Sequence, residues 1–346
     1  KRKNMNIVKK IGLSALAGSL AAVSAYAGEV AVTGNLDATY TTKHAKDGSM
    51  AATDQGKGFS THTGITFTAS GEADNGWTMS GFITQLQDFT GISSSQMSVT
   101  MGSMGKLQFN HVGGGAVNSL DDKLPTAWEE SWDNASHSFS GEAIGTGNDD
   151  GGISYHLPQF EYEGNTIDIG VDYDPAAGVA AGGAGSTQVT TTYGAGTGVA
   201  VKVGTAMGLS FFAGAEEAER QVTSALLTDR FNATIGGSYA YSNVTLGVQG
   251  WSNDPGNADG IAYESIGYSV AVAVNDNLSI SYAAITDEKK ANIDGTGNVE
   301  ADLDAFNVAY SMGSMAVKAQ HSRVDNQDHV LKGSAERTEI SLSLAF

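Results

Sequence analysis

Between Val112 and Asp150 the chain carries eight carboxylates, Asp121, Asp122, Glu129, Glu130, Asp133, Glu142, Asp149 and Asp150, against one base, Lys123. An acid run of this density is either a solvated outer surface or a field that favours cations for simple Coulomb reasons. The same segment holds Pro125 and two of the four Trp residues, Trp128 and Trp132. Leu124 to Glu130 reads as a short helical turn that would let the two Trp pack against one wall.

Other chemistry is thinly represented. Gly113-Gly114-Gly115 lacks the Lys-Ser/Thr that a phosphate-cradling loop requires. The seven His are scattered without metal-ligand spacing, and no nucleophile elbow is visible. Acidic loops could hold Ca²⁺ through oxygen, at Asn253-Asp254 with Asp259 or at Asp287-Glu288, although the G-G-x-G-x-D repeat is absent. The metal assignment is therefore open, and no organic cofactor is implied. A net charge of −19 makes nucleic acid an unsuitable partner, because binding there needs clustered Lys and Arg.

The elements that position the acidic segment follow a period of two. In Ala335–Phe346, Ile340, Leu342, Leu344 and Phe346 share one parity, and Glu339, Ser341 and Ser343 the other. The pattern recurs along the chain and predicts sixteen strands, the third over 77–88. Seven short turns, at 74–76, 103–105, 163–165, 205–208, 242–243, 275–277 and 313–314, alternate with mostly longer polar loops, among them 43–57, 218–227 and 287–300. The alternation stops only over 112–150. There are 45 Gly, 4 Pro and no Cys, charged residues make up 16%, and mean hydropathy is −0.16. That profile fits strands that give half their side chains to lipid, or a Gly-rich soluble β protein. Polar Ser, Thr and Asn filling one face of strand after strand favour the former. Short connections on one rim and long ones on the other are the layout of an all-β, antiparallel transmembrane β-barrel. Within it the 112–150 break is an external lid or a loop folded into the lumen.

At the start of the chain, Lys9-Lys10, a small apolar run to Val23 and Ala25-Tyr26-Ala27 form a secretory signal peptide over residues 1–27, with Met5 as the true start. Its removal would take the charge from −19 to −24, because residues 1–27 hold five Lys and Arg and no acid. The barrel domain is then 28–346.

The signal peptide, sixteen strands, the long loop after the fifth strand, the junction G-K-L-Q-F-N-H-V-G-G-G at 105–115 and the terminal Phe346 together resemble the general bacterial porins of Gram-negative outer membranes, with an alphaproteobacterial-type leader. The resemblance implies a 16-stranded barrel whose long third loop folds into the lumen and narrows a water-filled pore passing ions and small hydrophilic solutes. It implies a homotrimer, with the short loop at 89–94 as the subunit latch, set among outer-membrane lipid and lipopolysaccharide. It also implies that the barrel-assembly machinery reads Phe346. Carried over, Asp121, Asp122, Glu129, Glu130 and Asp133 are the constriction acids. The family opposes such acids with a cluster of Arg; here strands one to four offer only Lys43 near a rim and His62, and the polar parity elsewhere offers Lys106, Lys202, Arg230, Lys318 and Arg337, with Lys106, Lys318 and Arg337 as the chosen wall bases and the last two as the best opposing pair. A thin basic wall under a dense acidic loop predicts a cation-preferring pore, and the resemblance to porins implies no enzymatic step. The alternatives are a substrate-specific porin or a barrel-based outer-membrane enzyme or adhesin.

Overall fold

The computed structural model describes residues 29–46, 53–85, 91–112, 114–133, 137–145, 151–177, 193–221, 227–257, 260–290 and 297–346. The expected signal-peptide region and parts of several long loops, including 89–90 of the expected latch, lie outside them.

Sixteen antiparallel strands close into a barrel: β1 (Glu29–Lys46), β2 (Thr53–Glu72), β3 (Thr78–Gln85), β4 (Ile92–Thr100), β5 (Lys106–Val112), β6 (Ile153–His156 and Phe160–Tyr162), β7 (Asn165–Asp174), β8 (Tyr193–Gly204), β9 (Leu209–Arg220), β10 (Arg230–Tyr241), β11 (Val244–Asp254), β12 (Ala262–Ala273), β13 (Leu278–Lys290), β14 (Val299–Met312), β15 (Met315–Asp325) and β16 (Ser334–Ala345). Each strand pairs with its sequence neighbours, and β1 also pairs with β16, from Asn35↔Ala345 to Lys46↔Ser334. No sheet edge is left open, as lipid demands. The two pieces of β6 occupy one strand position, since both pair with β7. The break falls at Leu157-Pro158-Gln159, where Pro has no N–H to give the ladder.

All seven short turns appear as expected. At Glu163-Gly164 both residues take positive φ, 49° and 79°, which joins Tyr162 directly opposite Asn165. Boundaries at the other rim differ from expectation. β1 runs to Lys46 and β2 starts at Thr53, so 43–46 and 53–57 belong to strands; β13 runs to Lys290 and β14 resumes at Val299, which shortens the 287–300 loop. Charged and polar residues continue the ladder there because both flanking strands supply partners, as in Asp287↔Ala301 and Glu288↔Glu300.

Alternation sorts the side chains onto two surfaces. Ile235, Leu246, Tyr268, Phe306, Leu342 and Leu344 face outward and are exposed, although they are large and apolar. Asn232, Gln249, Ser281, Asn307, Gln320 and Ser341 point inward and are buried. This reverses a soluble protein and suits a hydrocarbon exterior. Among the described residues no helix is long and apolar enough to cross a membrane; the chain crosses with strands. Closure ends on Phe346. Its N–H and C=O exchange hydrogen bonds with Gly34 at 3.0 and 2.9 Å, and its ring lies where a Gly34 Cβ would stand.

Candidate functional site

The described part of the segment after β5 lies against the inward, polar face of the barrel and is tied down strand by strand. Asp172 on β7 accepts the N–H groups of Ala116 and Val117, both at 2.8 Å. Glu216 on β9 accepts from Gly145 N at 3.1 Å, and Asn232 on β10 donates to Ala143 O at 2.7 Å. Gln249 on β11 donates to Leu120 O at 2.7 Å and Asp121 O at 3.2 Å, and accepts from Lys123 N at 2.9 Å. Ser281 on β13 accepts from Ala127 N at 2.9 Å. Asn307 on β14 donates to Glu129 O at 3.2 Å, and Gln320 on β15 to Glu130 O at 2.9 Å. The segment has almost no ladder of its own, so its backbone groups depend on these side chains.

Apolar contacts complete the seat. Val117, Leu120, Leu124, Trp132, Phe139 and Ile144 are buried with Phe212, Trp251, Ile285 and Leu303 of the inner wall. Burying each large side chain contributes about 1.5–3 kcal/mol. Trp132 stacks 4.7 Å from Phe139 and meets Trp251 edge-on at 5.9 Å. Trp128 instead is only half-buried, with the Lys318 ammonium over its ring, 5.7 Å from the centroid. The expected helical turn over 124–130 does not form; the segment bends there, and its short 3₁₀ turns are Asn118–Leu120 and Ser140–Ala143. Pro125 and the wall hydrogen bonds to Lys123, Ala127, Glu129 and Glu130 hold the backbone extended enough to reach successive strands. Close approach is made possible by inward glycines. A Cβ on Gly247 would collide with the Pro125 ring, and one on Gly214 would stand 2.7 Å from Leu120 Cδ1. Among 45 Gly, nothing in the sequence singles these out.

The acids gather into one cluster. Asp122 is half-buried and pushed up to about 9 by burial, by its hydrogen bond to Glu130 and by that neighbour's charge. Asp133 is pushed up to about 9 by partial desolvation and by Glu130, Glu129 and Glu142, while the residue stays open to the lumen. Burial also pushes Glu130 up. Hydrogen bonds from Asp133, Asp122 and its own backbone, with Lys123 nearby, outweigh that and hold it below the usual range. Burial raises Asp121, whose backbone O accepts from Trp251 Nε1 at 2.9 Å. At neutral pH, then, Glu130 is a carboxylate that accepts protons' hydrogen bonds from two neutral Asp neighbours. Glu142, outside the five expected acids, joins them electrostatically.

The bases lie on two sides. Lys106 on β5 donates to Gln108 Oε1 at 2.9 Å and shares an electrostatic neighbourhood with Lys202 on β8, Lys123 of the segment and His156 on β6. Lys318 and Arg337 both point inward from β15 and β16. Arg337 is engaged by Glu339 at 2.8 Å, so it is not a free counter-charge to Asp121 and Asp122. Asp287 and Glu288, considered together for Ca²⁺, point to opposite faces of β13. Asp287 is fully buried inside, and Glu288 pairs with Lys290 at 3.1 Å. Of the other candidate, Asp259 lies outside the described residues.

Residues 12–329 match the family described as Gram-negative porin. The chain belongs to that family. The porin is accordingly an outer-membrane β-barrel channel. A search of curated protein sequences returned no match. Solved structures share the fold at low identity. The anion-selective porin from Comamonas acidovorans is 15% identical with TM-score 0.64, covering 92% of this chain and 100% of that one. Salmonella typhi OmpF in complex with daunomycin is 13% identical with TM-score 0.64, covering 92% and 97%. Vibrio cholerae OmpT in its trimer form is 14% identical with TM-score 0.59, covering 93% and 100%.

Proposed function

We propose that this porin is a water-filled, cation-preferring diffusion channel for ions and small hydrophilic solutes, working as a homotrimer without catalysing a reaction. The carrying observation is the acid cluster Asp121, Asp122, Glu129, Glu130, Asp133 and Glu142 on a segment seated along the inner wall. The segment narrows the passage, and solutes pass between it and the inward residues of β1–β4. The negative charge at the narrowing resides on Glu130 and its ionised neighbours at neutral pH, and it attracts cations. Lys106, Lys202 and Lys123 give the passage a smaller positive side. Export proceeds with cleavage after Ala27, and the Phe346 strand is the signal that the barrel-assembly machinery reads. Lipid and lipopolysaccharide cover the outer face. The related structure described as a trimer form supports the homotrimer reading.

The test is purified porin in a planar bilayer under a salt gradient. Conductance steps in triplets with a cation-selective reversal potential are expected, and Glu130→Gln should move that potential toward zero while leaving assembly intact. An anion-selective potential, or a Glu130→Gln channel with unchanged selectivity, would remove the acid cluster from the filter. Absence of steps would remove the channel reading.

A further inference from the structure

Three side chains far apart in sequence converge on the inner wall, and the channel reading uses none of them. His137 comes from the internal segment, Asp287 from β13, and His329 from the connection between β15 and β16. One ligand-type atom from each lies within 4.8 Å of the other two. The side chains of His137 and Asp287 are 0% exposed and that of His329 is 5% exposed. We propose that His137, Asp287 and His329 form a site for a divalent transition-metal ion of the zinc type, clasping the internal segment and the last long loop to the barrel wall.

The donor set argues for that class of ion. Two imidazole nitrogens and one carboxylate oxygen suit zinc and its neighbours, whereas Ca²⁺ and Mg²⁺ take oxygen. Two of the three donor separations approach those of a tetrahedral site, and the third, within 4.8 Å, closes by a small ring rotation on binding. Metal–ligand bonds of 2.0–2.1 Å in a tetrahedron place donors about 3.3 Å apart. His137 Nε2 is 3.0 Å, and His329 Nε2 3.6 Å, from Asp287 Oδ2. The other carboxylate oxygen is already held, since Oδ1 accepts from Ser140 Oγ at 2.6 Å and Ser265 Oγ at 2.7 Å. That support aims Oδ2 at the two rings, as outer partners do for ligating carboxylates. Ser140 N also reaches Oδ2, at 3.3 Å.

Protons occupy the ligand positions when the ion is not bound. Asp328 N–H donates to His137 Nδ1 at 2.9 Å, so the ring proton sits on Nε2 and points at Asp287. His329 Nε2–H donates to Asp287 O at 3.1 Å. Metal binding at Nε2 would move each ring proton to Nδ1; at His137 this gives up the bond from Asp328 N–H, and Nδ1–H turns to Asp328 Oδ1, 3.7 Å away, as its acceptor. A cavity of about 310 Å³ lined by Ser138, Ser140, Asn253, Tyr263, Lys289, Asp328 and His329 adjoins the site. It provides the entry path and room for a water as fourth ligand.

The test is calorimetric titration of ZnCl₂ into the assembled porin, extracted from outer membranes and freed of metal with chelator. One ion per chain is expected, weakened roughly tenfold or more by His329→Gln and by His137→Gln and unaffected by Glu130→Gln. Cobalt should give the intense visible bands of a four-coordinate site in the unmodified porin and lose them in His329→Gln. His329 lies in a connection between strands, so its variant remains informative if His137→Gln fails to assemble. Equal zinc binding by His329→Gln and the unmodified porin, loss of binding in Glu130→Gln, or no binding at all would each overturn the site.

Discussion

The inner surface of the barrel has two unlike walls. From β7 to β15, the inward side chains that hold the backbone of the internal segment are mostly amides and carboxylates, Asp172, Glu216, Asn232, Gln249, Asn307 and Gln320, joined by one hydroxyl, Ser281. From β1 to β4 the inward side chains are mostly hydroxyls that satisfy one another. Thr66 Oγ1 and Thr84 Oγ1 lie 2.9 Å apart, Ser80 Oγ and Ser98 Oγ 2.8 Å apart, and Thr39 bonds Ser60. Both walls read as the polar parity of a strand. The difference is reach. An amide or carboxylate extends far enough to hold a second layer of chain, whereas a short hydroxyl closes onto its cross-strand neighbour and leaves the space before it to solvent.

The largest departure from this contrast should come from making the covered wall unable to carry its segment. Gly247→Leu puts a side chain where the Pro125 ring lies. Overpacking of this kind costs typically about 1–3 kcal/mol. Here the segment can lift away instead, so single-channel conductance should rise and ion preference fall, while the barrel, whose ladders are untouched, still assembles. Unchanged conductance in bilayers would mean that the segment does not limit flow.

A smaller effect should follow pH. Asp122 and Asp133 lose their protons near pH 9, later than ordinary carboxyls. Raising pH through that value adds negative charge at the segment, so cation preference, read as reversal potential, should strengthen between about pH 8 and pH 10. Asp122→Asn should blunt the rise. Stability runs the other way. A carboxyl with a raised folded pKa binds its proton more tightly when folded, so its stabilising contribution is complete below about pH 4 and declines as pH rises toward 9. The segment should become more protease-sensitive in alkali.

The smallest effect belongs to the bare wall. Replacing both members of the Ser80–Ser98 pair with Ala removes donor and acceptor together, which is nearly neutral, and leaves the lining small. Thermal stability of the assembled porin should move by roughly 0.5 kcal/mol or less, and selectivity should not move. A large change in either would show that the two walls share the work of the filter.

Much of the frame was legible beforehand because its signals are local. Strict alternation in Ile340, Leu342 and Leu344 and the turn at Glu163-Gly164 each act over a few residues. Charged strand ends were less legible. Lys43 and Asp287 look like loop residues, yet the ladder carries them, since Lys43 stands opposite Arg337 and Asp287 opposite Ala301. The segment's path was hidden for a different reason: Lys123 is held by Gln249, and Glu130 by Gln320, across 126 and 190 residues.

Composition and period two, by themselves, determined a closed sheet with apolar residues outward and an acid-rich interruption after β5, because strand geometry alone assigns alternate residues to opposite faces. Only the tertiary structure decided which inward glycines leave room for the segment, that Glu130 carries the charge its two Asp neighbours give up, and that His137, Asp287 and His329 meet. Those outcomes depend on distances between elements, and closure of the barrel sets the distances.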